Sequence, residues 1–269
     1  MVQSSSSTLL VEEKNGLLYL GLNRPDVGNA LNYELIMAMR RIAEQAGQDW
    51  SVRGVVIQGV GPDFCVGENR DDLGPWPAEY SHRRPGGSHG PGPIPEQDLF
   101  RTIRSLPKPT IAVLRGRVLS VGLDLACVCD IRVCTHQTTF GDPRVLEADY
   151  ATTGLTYVLP RLIGQSQAMR LLLLGETIGG EEAERIGLVY RSFPEEAFSA
   201  EVETLLDKIA EMPTRSYAML KQQIVDELDM PYPTALMYSL AVRQTNIIED
   251  LAEGMAAFRE KRKPKFKGR

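Results

Sequence analysis

Residues 107–133 read PKPTIAVLRGRVLSVGLDLACVCDIRV and alternate between two kinds of pattern. The apolar run in PKPTIAVLRGRV is followed by a helix-type segment, LSVGLDLACVCD, and then by a second apolar run, IRVC. Such runs with short connections predict a strand, a helix and a further strand. Strand–helix alternation of this kind indicates α/β layers joined by right-handed crossovers.

The residues upstream continue this pattern. TLLVEEKNGLLYLGLN predicts a β-hairpin, because Lys14-Asn15-Gly16 is a turn signal between two β-type runs. The apolar residues of YELIMAMRRIAEQAGQD follow helical spacing, with Asn32 as the N-cap. VRGVVIQGV then predicts a buried strand, so the first third supplies strands and one helix.

The rest of the chain divides into segments of different composition. The Ser-rich residues 1–7 predict a flexible terminus, residues 8–195 an α/β core, and residues 196–269 a helical C-terminal region. From about Gly154 onward the pattern is almost wholly helical. The Gly/Pro/His/Arg segment at about 74–95 predicts a mobile loop, in which His82 and His89 are expected to be solvated.

Bulk composition excludes several classes of function. The chain has 269 residues, a net charge of −5 and a pI near 5.4, which argues against a dedicated nucleic-acid or membrane-surface binder. No apolar run approaches the ~18 residues that span a bilayer. No secretory signal is evident, and the sequence therefore predicts a cytoplasmic protein.

The four cysteines fit a reducing compartment better than a disulfide framework. Cys127, Cys129, Cys134 and His136 invite a zinc interpretation. Zinc ligands, however, are usually spaced C-x₂₋₄-C, and ACVCDIRVC has the composition of a packed core segment. We therefore expect no metal site.

Two glycine-bearing turns are the first candidates for chemistry: FCVGEN at 64–69 and LSVGLD at 119–124. Turns of this kind can present backbone N–H groups to an oxygen that develops negative charge. The alternative for each is a glycine needed only for tight turning.

Taken together, the motifs resemble the crotonase (enoyl-CoA hydratase/isomerase) superfamily. The resemblance runs in order from about residue 8 to 269, through NRPxxxNALN, FCxGEN, PKPTIAVLRGxxxSVGLDLACVCDIRV, FGDP, LLLGETIGGEEAERIGLVYRSFP and EGMAAFREKRKPKFK. It implies an α/β fold: a crotonase-type core of repeated ββα units with a C-terminal helical oligomerisation region that builds homotrimers, often paired into hexamers. It also implies no permanently bound cofactor, with coenzyme A entering as part of the thioester substrate.

The resemblance assigns site residues by motif position. The thioester carbonyl oxygen would lie between the backbone N–H groups of Glu68 and Val121, which form an oxyanion hole. Coenzyme A would contact Arg24, Val27, Ala30, Val66, Phe258 and Lys261. The last two would reach it across a subunit boundary, although the basic tail KRKPKFKGR is also typical of a solvated chain end.

The sequence departs from the hydratase pattern at both catalytic positions. Hydratase-type relatives carry one glutamate in G-x-E-L-A and another at the end of F-G-x-P-E, whereas this chain has Asp124 and Arg144 there. Aspartate is one methylene shorter than glutamate, so its carboxylate lies roughly 1.5 Å further from the substrate. It can still act as a general base if burial raises its pKa. The alternative for Asp124 is a carboxylate satisfied near the helix start.

Arg144 stays protonated and cannot exchange protons, so three interpretations remain open. It binds an oxygen of an unusual substrate, pairs with Glu147 or Asp124, or is a bystander. Glu147 is the leading candidate for a displaced second carboxylate if the segment turns helically. Asp142 is expected to fix the turn, and the Glu68 side chain to add a carboxylate at the pocket mouth.

The leading hypothesis is an acyl-CoA enzyme that stabilises a thioester enolate, with Asp124 as the principal proton-transfer group. One carboxylate favours double-bond isomerisation or C–C cleavage over water addition. An alternative is hydrolysis of a C–C bond in a cyclic β-diketone or a 2-ketoacyl-CoA, with Arg144 binding the second oxygen. A third hypothesis is a non-catalytic or RNA-binding crotonase-like protein, which the basic tail and SHRRPGG favour and the negative net charge disfavours.

Overall fold

The structure, a computed structural model, describes residues 6–81 and 94–268. Within these ranges the strands are β1 (Leu9–Lys14), β2 (Leu17–Leu22), β3 (Gly54–Gly59), β4 (Thr110–Leu114), β5 (Arg117–Leu119), β6 (Ile131–Thr135), β7 (Thr139–Gly141), β8 (Thr177–Gly179) and β9 (Arg191–Phe193). The helices are α1 (Tyr33–Gln48), α2 (Pro95–Ser105), α3 (Val121–Val128), α4 (Leu155–Ile163), α5 (Gln165–Leu174), α6 (Gly180–Arg185), α7 (Glu195–Ala210), α8 (Thr214–Asp226), α9 (Tyr232–Thr245) and α10 (Asp250–Glu260). Residues 1–5 and 82–93, with His82, His89 and most of the predicted mobile loop, lie outside the described residues.

Six strands form the main sheet, in the order β1-β2-β3-β4-β6-β9. Only β1 and β2 pair antiparallel, through the predicted hairpin, where Asn15 (φ 52°) and Gly16 (φ 74°) adopt the left-handed turn conformation. The later strands pair parallel, and helices connect most of them. The α/β layering expected from residues 107–133 is therefore present.

Residues 107–119 contain two strands, although the sequence predicted one. The chain breaks at Gly116, whose φ is 57°, and a Cβ there would overlap the Pro62 carbonyl oxygen. β4 stays in the main sheet, whereas β5 enters a second sheet of three strands in the order β5-β7-β8. The break therefore carries the chain from one sheet to the other immediately before α3.

Both faces of the main sheet are covered. Alternate residues of β3 point to opposite sides, so Val55 and Ile57 pack with α1 to α4 while Val56 packs with α7. Asn32 caps α1 as predicted, its side chain accepting the Leu35 backbone N–H at 3.0 Å. This double cover explains why the parallel strands read as continuous apolar runs.

The second half of the chain is mainly helical, with two exceptions that the sequence did not predict. β8 and β9 are only three residues long, and each pairs with a strand far earlier in the chain. The predicted division at residue 195 stays a prediction, although α7 packs on the main sheet. No helix in the described ranges is long and apolar enough to cross a membrane.

Candidate active site

The two glycine turns lie against each other. A Cβ on Gly67, whose φ is +127°, would lie 3.0 Å from the Ser120 Cβ. An isolated bridge between Cys65 and Val118 ties the strands that lead into the two turns. Glu68 and Val121, which follow Gly67 and Ser120, are thereby brought to the same edge of the core.

The backbone N–H groups at this edge are free to bind a ligand. Neither the Glu68 nor the Val121 N–H donates to another residue in the part of the chain that the structure describes. Val121 begins α3, where an N–H has no acceptor within the helix. Ser120 before it has φ 52° and ψ −129°, a strained conformation of the kind found at functional turns. The arrangement suits an oxygen that gains negative charge.

The predicted coenzyme A segment packs beside this edge. The Leu31 N–H donates to the Gly67 carbonyl at 2.7 Å, and the Val66 N–H donates to the Gly28 carbonyl at 3.1 Å. Arg24 is half-buried and donates to the Ala30 carbonyl at 2.6 Å. Four of the residues predicted to contact coenzyme A, Arg24, Val27, Ala30 and Val66, therefore lie on two packed segments.

Asp124 lies three residues after Val121 on α3, one helical turn away and on the same side of the helix. Its carboxylate is 1% exposed and accepts hydrogen bonds from the Arg144 guanidinium, at 2.9 Å from Nη2 and 3.4 Å from Nη1. The Thr153 hydroxyl also donates to it. Asp124 is thus buried beside the oxyanion edge with a cation and a hydroxyl as partners.

Arg144 joins Asp124 to a second buried carboxylate. Its Nε donates to Asp142 Oδ1 at 2.8 Å and its Nη2 to Asp142 Oδ2 at 2.7 Å. Asp142 also accepts the Arg144 backbone N–H at 3.2 Å, so it fixes the turn as expected. Four side-chain hydrogen bonds leave the guanidinium little capacity for a substrate oxygen. Of the three interpretations of Arg144, pairing with Asp124 describes its position.

The charges in this cluster influence one another. Burial raises the pKa of the Asp124 carboxyl, and Arg144 opposes that rise because it stabilises the ionised form. Burial alone would lower the pKa of Arg144, but Asp142 and Asp124 together raise it, so the guanidinium stays charged. The pair therefore joins a carboxyl group whose pKa burial raises to a guanidinium that stays charged.

The other carboxylates named from the sequence have different surroundings. Glu147 ends a 3₁₀ helix (Pro143–Glu147), is exposed, and accepts a hydrogen bond from Arg70 at 2.8 Å rather than pairing with Arg144. Its predicted catalytic role stays a prediction without support from this position. Burial raises the pKa of the Glu68 side chain, and Arg144 and Arg70 oppose the rise. Glu68 therefore faces the same cluster as Asp124.

Thr153 was missed from the sequence, because a threonine in the loop ATTG carries no signal of its partner, which is 29 residues earlier. Phe258 and Lys261 lie at the end of α10, with the Phe258 side chain 86% exposed. The tail after them folds back, since Asp250 accepts the backbone N–H groups of Lys267 and Gly268, each at 2.7 Å. The backbone of the tail is therefore held against the start of α10, while the basic side chains at positions 261, 262, 263, 265 and 267 are exposed.

A cavity of about 480 Å³ lies beside Arg144. Its walls include the apolar side chains of Val145, Tyr150, Met169 and Leu172, but neither Glu68 nor Val121. It shares Asp142 and Arg144 with the charged cluster around Asp124. Among residues 6–81 and 94–268, no group of three or more His, Cys, Asp or Glu residues is arranged to hold a metal ion.

The chain is similar to known proteins over almost its whole length. The sequence profile described as enoyl-CoA hydratase/isomerase matches residues 12–269. The chain is 33% identical to the (E)-benzylidenesuccinyl-CoA hydratase of Thauera aromatica over 266 residues, covering 96% of this chain and 98% of that one. It is 32% identical to the 2,3-dehydroadipyl-CoA hydratase of Escherichia coli (strain K12), covering 98% of this chain and all of the relative.

Solved structures show the same fold. The enoyl-CoA hydratase from Bacillus anthracis superposes with a TM-score of 0.86 at 26% identity, covering 97% of this chain and 100% of that one. The predicted α/β fold, with its two sheets and C-terminal helices, is confirmed. This chain belongs to the enoyl-CoA hydratase/isomerase family, the crotonase superfamily, and is an acyl-CoA enzyme.

Proposed function

We propose that this enzyme converts an acyl-CoA thioester through an enolate whose oxygen is held by the N–H groups of Glu68 and Val121. The observation that carries the proposal is that the Glu68 and Val121 N–H groups donate to no other described residue, and that the buried Asp124 lies one helical turn from Val121. Removing a proton from the α carbon moves the C–H electron pair onto the thioester oxygen. Donors that are already in place lower the barrier of this step, and each raises the rate by on the order of 100-fold or more.

Asp124 is the proposed proton acceptor. Arg144 favours its ionised form, which is the form that accepts a proton, and burial raises the pKa of the carboxyl so that it is a stronger base than an exposed aspartate. Arg144 stands where relatives carry a second acid and cannot exchange protons. We therefore propose double-bond isomerisation, with coenzyme A bound along Arg24, Val27, Ala30 and Val66. Hydration, the reaction in the names of the two relatives, is the competing outcome.

Solvent-deuterium exchange at the α carbon of short acyl-CoAs such as butyryl-CoA tests the proposal. We expect exchange in the wild type and a fall of about 100-fold in Asp124→Asn, because the amide cannot accept the proton. Asp207→Asn, at an exposed position on α7, is the matched control and should exchange like the wild type. If the wild-type enzyme exchanged the α proton of none of these short acyl-CoAs, enolate chemistry would be ruled out.

The other two hypotheses receive less support. The C–C hydrolase interpretation rested on an Arg144 able to bind a second substrate oxygen, and its guanidinium already makes four side-chain hydrogen bonds to Asp124 and Asp142. The RNA-binding interpretation rested partly on SHRRPGG, most of which lies outside the described residues. Its other basis was the basic tail, where Arg262 pairs with Glu253 and Lys263 with Glu211.

The assembly is proposed to be a homotrimer or a dimer of trimers. Helices α8 to α10 leave many large apolar side chains exposed in the single chain: Leu220, Ile224, Tyr232, Leu236, Met237, Leu251, Met255 and Phe258. Exposed apolar surface of this extent is typical of an interface. Light scattering on a size-exclusion column should give three or six times the 29.8 kDa chain mass, and a monomer at micromolar concentration would contradict the proposal.

The buried free thiols fit the predicted cytoplasmic location.

A further inference from the structure

A buried carboxyl group at the start of α2 is so far without a role. Glu96 is the second residue of the helix and is 4% exposed. Within the described ranges its carboxylate has no hydrogen bond to another residue and no cation beside it, and only its own backbone N–H stabilises the charge. Burying a carboxyl group without a partner is costly, so its position calls for an explanation.

The groups around Glu96 belong to the oxyanion edge. The Glu68 carboxylate is close enough to raise the pKa of Glu96 by repulsion, in addition to the larger effect of burial. Burial, followed by the charges of Glu96 and Glu68, raises the pKa of Tyr33 to about 12. Tyr33 lies two residues after Leu31, which forms a bridge with Glu68. Glu96 therefore lies within electrostatic reach of the turn that carries the first oxyanion donor.

A second connection joins the start of α2 to Asp124. Gln97, the neighbour of Glu96, donates from its side chain to the Thr152 carbonyl at 2.7 Å. The next residue, Thr153, donates its hydroxyl to Asp124. The same short segment thus holds the start of α2 and the buried aspartate, and Glu96 and Asp124 approach the oxyanion edge from different elements.

We propose that Glu96 is a second catalytic proton-transfer residue, which donates a proton to the acyl chain after Asp124 has removed one. The inference rests on the proposed function. In the isomerisation, Asp124 takes a proton from carbon 2 of a 3-enoyl-CoA and the electron pair moves onto the thioester oxygen. The electron pair then returns from the oxygen through the conjugated system, and carbon 4 forms a C–H bond with the proton of Glu96. The double bond of the product lies between carbons 2 and 3.

The surroundings of the two carboxyl groups suit these opposite tasks. Asp124 has Arg144 beside it, which stabilises the carboxylate, whereas no cation within residues 6–81 and 94–268 acts on Glu96, and the Glu68 carboxylate raises its pKa further. Burial, opposed only by its own N–H, raises the pKa of Glu96 to about 7, so that a large share carries its proton at neutral pH. Two carboxyl groups with such different surroundings divide into a base and an acid.

The test compares wild type, Glu96→Gln, Glu96→Asp and a matched control. Glu181→Gln is the control, because Glu181 is also the second residue of its helix, α6, but is exposed and far in sequence from the site. Two reactions are measured: α-deuterium exchange of butyryl-CoA, which needs Asp124 and not Glu96, and migration of the double bond in short 3-enoyl-CoAs.

We expect Glu96→Gln to lower kcat for migration about 100-fold, with KM and butyryl-CoA exchange within about three-fold of wild type. Glu96→Asp should retain part of the rate, and Glu181→Gln all of it. Wild-type kcat for migration should fall as pH rises through about 7, because the acid form is lost, and this fall should disappear in Glu96→Gln.

Unchanged migration in Glu96→Gln would overturn the inference and leave the proposed function standing. Wild-type enzyme that exchanges the α proton but moves no double bond would overturn both this inference and the proposed isomerisation, and would leave only the enolate chemistry standing. Absence of exchange in the wild type would instead overturn the proposed function and this inference with it. If Glu96→Gln does not fold, a pH titration of the wild type followed by infrared spectroscopy provides the test. A protonated-carboxyl band that does not shift when acyl-CoA binds would overturn the proposal.

Discussion

Replacing Arg144 by methionine is expected to lower the free energy of unfolding by about 3–5 kcal/mol, the usual effect of removing one partner of a buried ion pair. Methionine fills similar space but leaves Asp124 and Asp142, which are 1% and 3% exposed, without their shared cation. Urea unfolding measured by circular dichroism gives the value directly.

The loss should depend on pH. Without Arg144, the hydrogen bond from Thr153 is left to oppose the rise that burial causes in the pKa of Asp124. A group whose pKa is higher in the folded state stabilises the fold at low pH and ceases to do so as pH rises. The variant should therefore be closest to wild type near pH 5 and furthest from it near pH 8.

Arg70→Met is the matched control for this loss. Arg70 also binds two carboxylates, those of Glu147 and Asp149, but its side chain is 49% exposed, so the change should be below about 1 kcal/mol. Equal effects of the two substitutions would contradict the buried ion pair. The double variant Arg144→Met/Asp124→Asn should recover part of the stability, because one uncompensated charge is gone.

Gly122→Ala is expected to reduce α-proton exchange on the order of 1000-fold, the upper range for losing an oxyanion donor. A Cβ at this position would overlap the Cys65 carbonyl oxygen, a backbone atom that cannot yield easily. The start of α3 must move away from the Cys65 segment, and the Val121 N–H moves with it. A loss of about 1–3 kcal/mol in unfolding free energy should accompany the shift.

Gly180→Ala provides the matched control, because its Cβ would overlap the Thr135 carbonyl oxygen in the same way at the start of α6. This variant should lose similar stability while its folded molecules exchange within a few-fold of wild type. If both variants lost exchange equally, the loss in Gly122→Ala would reflect stability and not the donor.

The parts of the fold that sequence predicted are those specified locally. The hairpin at Asn15-Gly16 and the Asn32 cap depend on residues only a few positions apart, and both are present. β8 and β9 were missed because three-residue strands have no periodicity of their own and form only against β7 and β6. The division between β4 and β5 depends on how closely Gly116 approaches Pro62, a contact between residues more than fifty positions apart.

The site divides in the same way. The two oxyanion turns follow from motif order, because each lies within six residues. The partner of Arg144 remained open between Glu147 and Asp124, because only packing decides that Arg144 binds Asp124, together with Asp142, while Glu147 pairs with Arg70. Glu96 in IPEQD has the composition of an ordinary first helical turn, where acids are common at the surface. Its burial comes from the packing of α2 against α1 and α3, which no local sequence pattern encodes.

Because the four cysteines are buried, their reactivity can report how often the folded structure opens. Cys65, Cys127, Cys129 and Cys134 are buried, and burial raises the pKa of each thiol to about 12. Because a thiolate is the reactive species, alkylating reagents at neutral pH should modify none of them until the structure around them opens. All four lie on or beside the segments that hold the oxyanion edge and α3. The labelling rate of each thiol, resolved by mass spectrometry, therefore measures how often the catalytic core exposes itself to solvent.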